Sequence, residues 1–141
     1  MYPNLAKAHS AYRQASASVH PGIAQVKIYD ELILAIRQAM RSIEDKKHEA
    51  AFSKVMRAAF ILRGLIAALD MERGGDVSKR LLKVYTSYIF NLHLSYGKPD
   101  VIERYGKLLD GLLPLREAWV HVAKYRMSEE GAGKVAAAAA G

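Results

Sequence analysis

Two acid–histidine pairs stand at helical spacing in this chain: Glu44 with His48 and Glu117 with His121, each at i, i+4. A helix brings such a pair to one side. Carboxylate-bridged metal centres in helix bundles are built from similar parts, but they need two Glu-x-x-His steps and two further glutamates. Asp45 and His48 have the shorter step, yet they lie in the charged run "EDKKHE", where a turn is expected. The histidines therefore read as surface or boundary residues, and no metal or other cofactor is expected.

Ser10, Ser16 and Ser18 lie near His20 in a small, polar stretch, but nothing there supplies the third, orienting group of a nucleophilic site. "GAGK" at 131–134 lacks the length of a phosphate-binding loop and the helix that follows one. There is no cysteine, which excludes disulfides, thiolate zinc sites and a cysteine nucleophile. The chain is not expected to be an enzyme. What remains is binding through surfaces.

Lys and Arg outnumber Asp and Glu by 21 to 14, a net charge of +7 over 141 residues. The positive charge is scattered, and its densest cluster is Lys79-Arg80 with Lys83. A nucleic-acid module shows a basic stripe with interleaved aromatics instead, so nucleic acid is not the expected partner. No apolar stretch approaches the roughly 20 residues that span a membrane, and the N-terminus lacks the apolar core of a signal peptide. A cytoplasmic protein without membrane insertion is expected, as a monomer or weak homodimer.

The positioning elements are helices. Pro21 suits a first helical position. Val26, Tyr29, Ile33, Ile36, Met40 and Ile43 then recur at steps of three and four. Phe52, Val55, Ala59, Leu62, Ile66 and Leu69 repeat the pattern, widened by Phe60, Ile61 and Leu65. The stretch "LDMERGG" (69–75) reads as a helix stop, with Gly74 and Gly75 in left-handed conformation and Asp76 capping the next helix. Leu82, Tyr85, Ile89, Leu92 and Tyr96 form the third stripe, flanked by Leu81, Val84 and Tyr88, and Gly97 ends it. The fourth runs from Val101 through Tyr105, Leu108, Leu112, Leu115 and Trp119 to Val122. Pro114 falls inside it and is expected to kink or split the helix. The expectation is an all-α, antiparallel four-helix bundle over 21–127. A mobile N-terminal segment (1–20), partly helical, precedes it. A disordered tail (128–141) follows. The eight tyrosines read mostly as core residues with an edge hydroxyl in water. The second and third stripes are wider than one seam needs, as in a groove that accepts an amphipathic helix.

These pieces, in order, resemble the flagellin export chaperones of the FliS family. They are Met1-Tyr2, Ala11-Tyr12, His20-Pro21, Tyr29-Asp30, "LDMERGG", "LLKVYTSYIFNL", "KPD" and "LREAW" before Trp119. The matching order covers residues 1–125. Ala24 and Gln25 stand where the family has a Leu-Ile pair, flanked here by Ile23 and Val26, so this is a divergent, basic member.

The resemblance implies a helical bundle without enzymatic activity. It would bind the C-terminal segment of flagellin in apolar grooves, prevent premature polymerisation, and aid delivery to the flagellar export gate, a further partner. The expected client-binding residues are Ile23, Val26, Phe60, Ile61, Leu65, Leu81, Tyr85 and Tyr88. Leu5 and Tyr12 would cap the groove when the client is absent. The alternative is a basic helical adaptor for another acidic protein or nucleic acid. Salt separates the two, because phosphate contacts weaken steeply as salt rises and apolar ones do not.

Overall fold

The three-four stripes become the cores of four helices. The computed structural model describes residues 21–140. The helices are α1 (Pro21–Glu44), α2 (His48–Ala67), α3 (Gly75–Ser95) and α4 (Val101–Ala140). No strand occurs among the described residues, so the fold is the expected all-α four-helix bundle. Leu5 and Tyr12 lie outside the described residues.

The chain divides into two compact units. Asp30–Leu113 holds a segment of every helix. Its core is Leu32, Ile33 and Ile36 of α1, Val55, Leu62 and Leu65 of α2, Tyr85 and Leu92 of α3, and Tyr105, Leu108 and Leu112 of α4. Ala35, Ala39, Ala51, Ala58 and Ala59 are buried too; such small side chains let helix backbones approach closely. Met1–Tyr29 with Pro114–Gly141 is the second unit, whose described part is the start of α1 and the C-terminal stretch of α4. Tyr29 and Ala123 are buried there.

Three connections set the helix directions. After α1 the Lys47 N–H donates to Ser42 O at 2.8 Å and the Lys46 N–H to Ile43 O at 3.0 Å. This is the paired closure that ends a helix on a left-handed residue. That residue is Lys46, at φ 56°. Between α2 and α3 the turn is organised by Asp70. Its Oδ1 accepts the Glu72 and Arg73 N–H groups at 3.1 and 2.9 Å. Its carbonyl accepts the Gly74 N–H and the Ser78 hydroxyl, both at 2.9 Å. A Cβ on Gly74 would overlap the Ser78 hydroxyl and lie 2.7 Å from the Asp70 carbonyl, and Gly75 needs φ +51°. Between α3 and α4, the buried Tyr105 hydroxyl donates to Leu92 O at 2.7 Å. Leu92 lies in the last turn of α3, where carbonyls lack partners within the helix. Burial pushes the Tyr105 phenol above its ordinary pKa.

Four expectations need correction. The two glycines do not end α2, which stops at Ala67; they open α3, with Gly74 as its N-cap. Asp76 makes no capping bond and lies in the first turn, because the Asp70 carboxylate already serves the loop N–H groups. Of the kink or split expected at Pro114, the split does not occur, because α4 runs unbroken to Ala140. The division between the two compact units nevertheless falls at Leu113/Pro114, where the ring removes a backbone donor. The disordered tail expected at 128–141 is helical as far as Ala140, for alanine has the highest helix propensity.

Lys46→Gly should raise stability by about 0.5–1 kcal/mol, since the relief of left-handed strain exceeds the added chain entropy. Urea unfolding at neutral pH reads this directly, and a loss of stability would count against the turn geometry. Tyr105→Phe should cost about 1–2 kcal/mol by stripping a buried carbonyl of its partner. Leu92→Ala should cost about 2–5 kcal/mol through the cavity it leaves.

Candidate functional site

A helix that packs on both sides has two shoulders, and α3 shows which neighbour takes each. Tyr96 lies toward α2: its hydroxyl donates to His48 O at 3.2 Å, and its ring lies 6.1 Å from that of Phe52. Leu92 and Tyr88 lie toward α4. Tyr105 reaches the Leu92 carbonyl, and the Tyr88 hydroxyl rests over Gly111, where a Cβ would overlap it. Both pairings run antiparallel.

On the shoulder toward α4, Val77, Leu81, Val84 and Tyr88 follow at i, i+4, i+7 and i+11. Such positions line up along one edge of a helix. The last three are half-buried, and Val77 is 64% exposed. The stripe is apolar and continuous, and it is not fully buried. It is the pattern by which one helix receives another along a groove. Tyr85, by contrast, lies in the core at 1% exposed, and Leu65 of α2 at 3%. Neither offers free surface to a client, which corrects their assignment; both support the faces from beneath.

On α2, Phe60 and Ile61 do not share a surface. Consecutive helical residues diverge by about 100°, and the two differ in burial: Phe60 is exposed and Ile61 half-buried. Arg57, one turn before Ile61, pairs with Glu31 of α1 at 3.0 Å. Phe60 lies one and two turns from Met56 and the exposed Phe52. Ile23 and Val26 are half-buried in the second compact unit. The predicted residues therefore fall into separate groups, of which Leu81 with Tyr88 is continuous. Val77 and Val84 complete that group. Their i, i+4, i+7 spacing was in the sequence, but Val77 sits beside Asp76 and reads as part of the turn.

Elsewhere the chemistry is sparse. Glu44 and His48 lie at the facing ends of α1 and α2, and Glu117 and His121 are exposed on α4. No group of three metal-ligating side chains comes together among the described residues. Lys47, His48, Glu49, Ala50 and Ser53 line a shallow, open depression of about 480 Å³ that encloses nothing. At the start of α4, a hydrogen bond from Arg104 at 2.9 Å holds the Asp100 carboxyl below its ordinary pKa. No described helix is long and apolar enough to cross a membrane.

A family model described as "Flagellar protein FliS" matches residues 4–126. No curated protein matches the chain significantly. The matched span contains the Asp70 turn, the whole of α3 and the stripe from Val77 to Tyr88. The chain belongs to the FliS family of flagellar proteins, the chaperones of flagellar export.

Proposed function

We propose that the protein holds the C-terminal segment of flagellin as a helix along the α3 stripe, keeps it from polymerising in the cytoplasm, and hands it to the export gate. The observation that carries this reading is the run Val77, Leu81, Val84 and Tyr88. It is apolar, partly open to solvent, and spaced for a helical partner. Membership of a family of flagellar export chaperones supports a flagellin-type client. Tyr88 over Gly111 forms the floor at one end, and Val77 projects at the other. The exposed Phe60 and the half-buried Ile61 on α2 would receive further turns of the client, and Ile23 and Val26 are client contacts proposed for the other unit by themselves.

Binding must offset the ordering of the client, about 2–5 kcal/mol or more for a segment that folds as it binds. Apolar burial is the term large enough to do so, which implies a strongly negative heat-capacity change. The positive charge of the chaperone would act on the rate of encounter more than on the lifetime of the complex.

Titration calorimetry with a synthetic flagellin C-terminal peptide tests the reading. Expected is a dissociation constant of roughly 10 μM or tighter, a gain in peptide helicity, and a negative heat-capacity change. Val77→Glu should weaken binding at least about tenfold, or about 1.4 kcal/mol, with the helical circular dichroism signal unchanged, because Val77 is largely exposed. No heat and no gain in helicity would remove flagellin as the client.

A further inference from the structure

The outward face of α3 carries a second pattern, a quarter-turn or more from the stripe. Lys79, Arg80 and Lys83 stand together on its N-terminal half, and Phe90 and Leu94 on its C-terminal half. All five are exposed; Phe90 is 65% and Leu94 49% open to solvent. Lys79, Lys83, Phe90 and Leu94 fall at i, i+4, i+11 and i+15, which keeps them on one side of a helix.

These three cations crowd into little more than one turn of the helix, and like many others in the chain they are unpaired. Arg57, Arg73, Arg104, Lys107 and Arg116 each pair with a carboxylate. Lys79, Arg80 and Lys83 have no carboxylate within ion-pair distance among the described residues, although Asp76 lies one turn away. Like charges at i+3 and i+4 repel, so the cluster opposes the helix that carries it. Phe90 and Leu94 lie about 10–16 Å beyond Lys83 at 1.5 Å per residue, and both leave much of their apolar surface open to solvent. Their flanks are polar: Thr86, Ser87, Asn91 and His93. Asn91 donates to the Ser87 hydroxyl at 3.4 Å.

We propose that this face docks an acidic, amphipathic helix of a partner protein, separately from the client stripe. Its carboxylates would meet Lys79, Arg80 and Lys83, and two large apolar side chains about two turns on would cover Phe90 and Leu94. Charge complementarity selects the occupant. A second copy of this chain, with a net charge of +7, complements the cluster less well than an acidic partner does. The apolar strip is two side chains long and bordered by polar ones, a width that suits one helix and not the plane of a bilayer. The proposal does not depend on flagellin being the client.

The full chain is titrated into a fluorescently labelled helical peptide carrying three glutamates in one turn and two leucines about two turns beyond. Parallel titrations use versions with Gln for Glu and Ser for Leu. The parent peptide should bind at least about tenfold tighter than either version. Lys79→Gln/Lys83→Gln, and separately Phe90→Ser, should each weaken it at least about fivefold. These positions are exposed, so both variants should keep the parent melting curve, and both should bind the flagellin C-terminal peptide as the parent does. Equal binding of the Gln peptide, indifference to both variants, or displacement of the acidic peptide by the flagellin peptide would overturn the proposal. So would binding to phosphatidylglycerol-rich vesicles in place of the peptide.

Discussion

The hydroxyl of Tyr105 on the carbonyl of Leu92 decides how α3 is used. The bond is buried and short, and it ties the last turn of α3 to the first turns of α4. One further pairing, Tyr88 over Gly111, fixes the rotation of α3 about its axis. With the rotation fixed, Tyr85 and Leu92 must be core. Val77, Leu81 and Val84 must share the side of Tyr88, and Lys79, Lys83, Phe90 and Leu94 must face water. A rotation of one residue, about 100°, would redistribute every one of these roles. Function here is a matter of which apolar side chains the packing leaves uncovered.

The Asp70 turn holds the other end of α3. Its side chain occupies two loop N–H groups and its carbonyl takes the Gly74 N–H and the Ser78 hydroxyl. Gly74 is glycine because there is no room for a Cβ, and Gly75 because its backbone is left-handed. The stretch "LDMERGG" is thus a structural device: it sets where α3 begins, and so where Val77 stands.

The fold was legible in the sequence because three-four periodicity reports burial directly. Tyr29, Ile33, Ile36, Val55, Leu62, Tyr85, Leu92, Tyr105 and Leu112 stand on the stripes and are buried. The site was legible only in part. Periodicity marks an apolar face but does not divide core from uncovered rim, and that division depends on the neighbouring helix. Leu65 and Tyr85 therefore looked available and are buried, while Val77 looked like a turn residue and is open. Local rules failed where a better competitor existed. Asp76 lost the capping role to Asp70, Pro114 was absorbed within α4, and an alanine-rich end still continued as helix.

Hydrogen–deuterium exchange, with and without a flagellin C-terminal peptide, tests the central claim that the α3 stripe receives the client. The account predicts new protection over 77–88 of α3 and over the part of α4 around Gly111, with little change at the outward positions 90–94. Protection confined to α2 around Phe52 and Phe60, with none over 77–88, would contradict it.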